Sequence, residues 1–148
     1  MLGWRGVATS RRKIRLFSAI VTISLTLVIA YQSTRPAGDP TVPVLKSWLS
    51  YAGHFGVYGA MAFSAMMAVA RFELRAAASV VLGCSLFGLG LEVYQGSAEG
   101  RESTPMDAVS NLLGALVGTF IGFLGLVWMH QFVVDKPYAF TCDMIDST

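Results

Sequence analysis

The chain has 148 residues, 54% of them hydrophobic and only 14% charged, with a formal net charge of +2 and a mean hydropathy of +0.58. A water-soluble domain carries about 25% charged residues, so this composition excludes an ordinary soluble domain and points to a membrane. Nucleic-acid binding is excluded as well, because the basic residues gather in one N-terminal arm with no second patch and no aromatic-basic interleaving.

In chain order, Arg5, Arg11, Arg12, Lys13 and Arg15 lead into a first predicted span over residues 16–32. A basic start before an apolar run is also the form of a secretory signal peptide. Tyr31-Gln32-Ser33 after Ala30 is a poor small-residue cleavage pattern, so an uncleaved helix is expected. Pro36, Gly38, Pro40 and Pro43 mark the following loop as non-helical. A second span is predicted over 48–70 and a third over 76–95. The short link Arg71-Phe72-Glu73-Leu74-Arg75 makes these two antiparallel neighbours. A Gly- and Ser-containing loop ends at Ser103-Thr104-Pro105, a helix start in which proline is well tolerated in the first turn. The fourth span covers 107–129, and the stretch from Met129 is at best amphipathic and expected to be partly disordered. Each span approaches the roughly 20 residues needed to cross ~30 Å of hydrocarbon. Alternating polarity of the barrel type is missing, so helices are expected.

The N-terminal arm, Arg71, Arg75 and Lys136 fall on one side of this arrangement, against Arg35, Lys46 and Arg101 on the other. The positive-inside rule then places both termini in the cytoplasm and the loops at 33–46 and 96–106 outside. The expected architecture is an all-α, four-transmembrane-helix bundle. Residues 1–132 form one membrane domain, and 133–148 form a cytoplasmic tail. Trp4, Trp48, Tyr51, Tyr94 and Trp128 read as interfacial aromatics. Cys84 in the third span and Cys142 in the tail are not placed to pair, and Cys84 reads as a packing residue. No spacing of His and Cys suggests a metal, and no cofactor is implied.

Residues at i, i+3 and i+4 share a helix face. By this rule His54, Tyr58, Ala62 and Ala65 form one stripe, and Cys84, Gly88, Glu92 and Gln95 another. A third runs through Asp107, Asn111, Gly114 or Ala115, Gly118, Gly122 and Gly125. Each is polar toward its outer end and small below, and the glycines four apart permit close helix approach. At 1.5 Å per residue, His54 lies about 9 Å and Asn111 about 6 Å inside their spans, with Glu92 at a similar depth. An ionisable group at the centre of a membrane helix costs about 2.5–3.5 kcal/mol on insertion scales, so several converging at one depth imply a polar site. The candidate ligand-binding residues are His54, Tyr58, Glu92, Gln95, Arg101, Asp107 and Asn111. His54, Glu92 and Asp107 are the candidates for any catalysis. The alternatives are structural: a Glu92–Arg101 ion pair, Asp107 as a helix-start residue, and Asn111 as a bridge between helices. His130, at the inner end, reads as solvated.

Read in order, His54-Phe55-x-x-Tyr58, Glu92-x-x-Gln95, Gly100-Arg101 and Asp107-x-x-x-Asn111-x-x-Gly114-x-x-x-Gly118 resemble the VanZ-like family of small bacterial membrane proteins, named for a member associated with teicoplanin resistance. The resemblance covers about 51–118, and Ser50 and Tyr51 stand where the family often carries an Asp-Lys pair. It implies a four-helix protein of the bacterial inner membrane with a link to the cell envelope or glycopeptide sensitivity, and supplies no reaction. Three functions follow as expectations. The first is a binding or modulating protein whose outer site engages a lipid-linked cell-wall intermediate or a lipid-tailed antibiotic, with Arg101 on phosphate or carboxylate. The second is a membrane enzyme acting on such a lipid, with His54 as base or nucleophile. The third is a small, oligomeric proton-coupled transporter using Glu92.

Overall fold

The structure, a computed structural model, describes the backbone of residues 3–34, 45–97 and 104–134 and the side chains of 10–34, 50–97 and 104–131. Most of the two outer loops, Arg35, Arg101 and Lys136, the side chains of Trp4, Arg5, Lys46 and Trp48, and the tail beyond Val134 with Cys142 lie outside the described residues. Four helices follow one another: α1 (Gly3–Thr34), α2 (Leu45–Val69), α3 (Leu74–Gly96) and α4 (Pro105–Val134). Among the described residues there is no strand. Each helix contains a stretch long and apolar enough to cross a membrane: Ser10–Thr34, Ser50–Val69, Leu74–Gly96 and Pro105–Gln131.

Two helices outrun their predicted spans. The basic arm is the first turns of α1, because Arg and Lys are good helix formers and nothing between Ser10 and Leu16 breaks a helix. At the other end of the chain, α4 runs to Val134, so residues 129–134 are helical where partial disorder was expected. Hydropathy marks the part of a helix that hydrocarbon would cover, and helical hydrogen bonding continues past it.

The least apolar stretch, with mean hydropathy 1.2, belongs to α2. This helix is central and touches each of the other three. Its polar groups are therefore spent on neighbours. Thr22 of α1 donates to Ser64 Oγ at 2.9 Å, and Ser64 donates to the Met61 carbonyl at 2.9 Å. Arg15 Nε donates to the Ala68 carbonyl at 3.2 Å, satisfying an acceptor in the last turn of α2. These pairs run in opposite residue order, so α1 and α2 are antiparallel.

The most extensive interface is between α2 and α4 rather than between α2 and α3, which the short link joins. The cause is the glycine stripe. A Cβ built on Gly114 would meet the Phe55 carbonyl, one on Gly118 the Gly59 carbonyl, and one on Gly122 the Phe63 carbonyl at 3.1 Å. The two helices thus run parallel in constant register, with a carbonyl of α2 opposite a glycine of α4 at each turn. Close approach of this kind brings Cα–H groups to carbonyls and strengthens packing where no hydrophobic effect separates helix from lipid. The link itself turns at Ala70, whose φ of 51° lies in the left-handed region usually left to glycine. Its N–H closes the last turn on the Met66 carbonyl at 3.0 Å.

The buried core is small and made mostly of Met, Ala and Cys: Met61, Ala62, Met66, Cys84 and Ala115, with Tyr58 and Leu126. Large side chains such as Phe17, Ile20, Leu86, Val93, Phe120 and Trp128 point outward instead. A water-soluble monomer rarely exposes so continuous an apolar belt.

Candidate functional site

The polar residues collect at the end of the bundle where α1 and α3 finish and α2 and α4 begin. His54 lies four residues inside the apolar stretch of α2, Glu92 four from the end of α3 and Asn111 six from the start of α4. These offsets correspond to depths of about 6–9 Å. The expected stripes are the buried ones: Tyr58 and Ala62 on α2; Cys84, Gly88 and Glu92 on α3; Asp107, Asn111 and Ala115 on α4.

The start of α4 fixes Asp107. Thr104 precedes the helix, and Asp107, three residues on, closes a capping arrangement over it. Asp107 Oδ2 accepts from the Thr104 N–H at 3.2 Å and from its hydroxyl at 2.8 Å. The positive end of the helix dipole lies at the same place. With Oδ2 engaged, Oδ1 is turned toward α2, where His54 Nε2 stands 4.0 Å away. The other ring nitrogen, Nδ1, lies 2.9 Å from Asn111 Oδ1. With the Asn111 amide in this orientation, its oxygen accepts from the Nδ1–H tautomer of His54. The imidazole therefore spans one turn of α4, held by Asn111 on one side and facing Asp107 on the other.

Tyr58 lies one turn deeper, with its ring parallel to His54 (4° between planes, centroids 6.5 Å apart) and tilted against Phe87 at 6.4 Å. Glu92, one turn beyond Gly88 on α3, is 8% exposed. Gly88 lets α3 close over this group. A Cβ there would stand 3.0 Å from the Tyr58 ring and 3.1 Å from Asn111 Nδ2. Gln95 behaves differently: its Nε2 donates to the Ser33 carbonyl at 3.4 Å and so reaches the end of α1. Arg101, and with it the Glu92–Arg101 pair, lies outside the described residues.

No protein-family model, curated protein or solved structure matches this chain. What the site can do is therefore read from its atoms. Among the described residues, Asp107 Oδ1, an acceptor, and Asn111 Nδ2, a donor, are buried in it without a hydrogen-bond partner. Leaving such a group unsatisfied costs about 1–3 kcal/mol. When His54 is neutral, its Nε2 is a second acceptor facing Asp107 Oδ1, and the 4.0 Å gap is too long for a direct bond. An ammonium group between them could donate to both, and a hydroxyl to one of them. Among the described residues no three His, Cys, Asp or Glu side chains are grouped to hold a metal ion.

Two residues matter more than sequence reasoning assigned. Thr104 orients Asp107, and its signal was the Thr-x-x-Asp spacing at a helix start. Gly88 sits on the expected stripe, but only the packed helices show that it faces both Tyr58 and Asn111. At the opposite end, His130 is exposed as expected, and its ring also packs edge-on against Phe72 at 5.2 Å.

Proposed function

We propose that the chain is a multi-pass protein of the bacterial cytoplasmic membrane, with both termini inside, whose outward-facing polar site binds the headgroup of a lipid-linked cell-wall intermediate or of a lipid-tailed glycopeptide. In this reading it modulates the envelope in the manner implied by its resemblance to the VanZ-like family. One observation carries the binding reading: Asp107 Oδ1 and Asn111 Nδ2 are buried and unsatisfied on either side of His54. A ligand rich in hydroxyl groups supplies a donor to the first and an acceptor to the second. Tyr58 and Glu92 form the floor of the same site, and Arg101 is assigned to the ligand's phosphate or carboxylate.

A membrane enzyme is the second reading. The bond from Nδ1 to Asn111 leaves Nε2 as the basic nitrogen of a neutral His54, and Asp107 would stabilise its protonated form. Turnover of a purified lipid-linked substrate separates an enzyme from a binder. Transport is less well supported, because Glu92 and Asp107, the buried carboxylates among the described residues, share one end of the bundle.

Mass spectrometry of the protein released intact with its lipids tests the binding reading. The expected result is a retained lipid with a sugar-bearing headgroup. Retention of bulk phospholipids alone would overturn it. Orientation has its own test. Cysteines introduced at Ala37 or Ser97 are expected to react with an impermeant thiol reagent applied to intact cells, while Cys142 does not. Cys84 is buried and gives no background. Labelling of Cys142 from outside would reverse the topology.

A further inference from the structure

The opposite end of the bundle carries a second site that the outer cluster does not explain. A cavity of about 170 Å³ lies between α1, the end of α2 and the end of α4. Its walls are apolar, with Met67, Leu126 and Met129 among them. Its rim is cationic: Arg11 and Arg15 come from one face of α1, and His130 from α4.

Two of the rim groups are held in place. Arg15 Nε donates to the Ala68 carbonyl at 3.2 Å, which uses one of the five N–H donors of its guanidinium. His130 packs edge-on against Phe72, also a wall of the cavity, at 5.2 Å. Glu73 is the one carboxylate at this end among the described residues, against Arg11 and Arg15 at the rim. An apolar partner would leave these cations without a counter-charge, and a small hydrophilic anion would leave the Met and Leu walls without contact. The fitting occupant has both parts.

We propose that this cavity binds the phosphodiester of an anionic phospholipid. Arg11 and Arg15 hold the phosphate oxygens, His130 donates from the far side, and the glycerol end of an acyl chain lies against Met67, Leu126 and Met129. Guanidinium groups suit this role because their paired N–H donors match phosphate geometry. Basic pockets between membrane helices are a known form of lipid recognition. The cavity is smaller than the roughly 300–1,000 Å³ of pockets that engulf a whole ligand, so the remaining chain runs along the outer apolar surface. The proposal shares with the outer site only the assignment of the helices to a membrane.

The test is thermal unfolding of the purified full chain in neutral detergent, with phosphatidylglycerol, phosphatidylcholine or inorganic phosphate added. Phosphatidylglycerol is expected to raise the melting temperature saturably, and the other two are not. Arg11→Gln is expected to weaken the phosphatidylglycerol effect about fivefold, the weight of one basic residue at an anionic lipid surface. His130→Gln should weaken it in the same direction. Arg12→Gln, whose side chain is not part of the rim, should leave it unchanged. Arg15→Gln is a poorer probe because it also removes the tie to α2. Equal effects of Arg11→Gln and Arg12→Gln would reduce the site to diffuse surface charge and overturn the proposal. So would stabilisation by phosphatidylcholine at the same concentration. A shift produced by inorganic phosphate alone would assign the cations to a free anion instead of a lipid.

Discussion

Gly118→Leu is expected to remove the folded protein from the membrane. A Cβ at this position would collide with the Gly59 carbonyl oxygen and stand 2.7 Å from its carbon. The obstacle is backbone, so no rotamer change relieves it. α4 has to move away from α2 along the largest interface in the bundle. Overpacking of a well-filled core costs about 1–3 kcal/mol when side chains can shift, and a backbone collision belongs at or beyond the top of that range. Gly114→Leu should behave alike, because its Cβ meets the Phe55 carbonyl. Gly125→Ala and Gly83→Ala are the controls. The first brings a methyl to 3.9 Å from Met67 Sδ, an ordinary contact, and the second meets nothing within 4 Å. Abundance and melting temperature in detergent report the result. Normal yield and melting of Gly118→Leu would mean that α2 and α4 do not meet through this stripe.

The stripe also shows how much of the fold was legible beforehand. Glycine at 114, 118 and 122 announces close approach, and hydropathy announces four helices. Neither states which helix approaches. The partner is α2, through Gly59 and the carbonyls of Phe55 and Phe63. The short link makes α2 and α3 neighbours, and they do touch, but connection length does not say which pair shares the largest interface. Within the site, the i, i+4 rule places His54 above Tyr58, Gly88 below Glu92 and Asp107 above Asn111, and these are the groups the structure brings together. The rule could not give the pairing of His54 with Asn111, which depends on rotation of two helices 57 residues apart. Nor could it show that Gln95, though on the expected stripe, reaches the Ser33 carbonyl of α1. The Phe72–His130 contact escaped for a similar reason, since the two residues lie on segments that meet only after α4 has packed.

Asp107→Asn is expected to separate ligand binding from folding at the polar site. An amide oxygen can replace Oδ2 as acceptor of the Thr104 N–H and hydroxyl, so the start of α4 is kept. Loss of the charge at the helix N-terminus costs about 0.3–1 kcal/mol, a small change in melting. The group facing His54 Nε2 loses its negative charge, however, and with it a charged hydrogen bond to ligand. Such bonds contribute about 1.5–3 kcal/mol, so retention of the co-purified headgroup should fall roughly tenfold to a hundredfold. His54→Ala and Glu92→Gln are expected to lose the ligand and the envelope phenotype too, while the protein still accumulates. A purely structural cluster makes the opposite prediction. If Glu92 and Arg101 served only each other, either single change would leave a buried charge uncompensated, at about 3–5 kcal/mol. Glu92→Gln combined with Arg101→Gln would then restore both abundance and activity. The binding reading expects that double variant to be stable and inactive, because its groups are kept for a ligand. A stable, fully active double variant, together with unchanged ligand retention in Asp107→Asn, would end the assignment of this site.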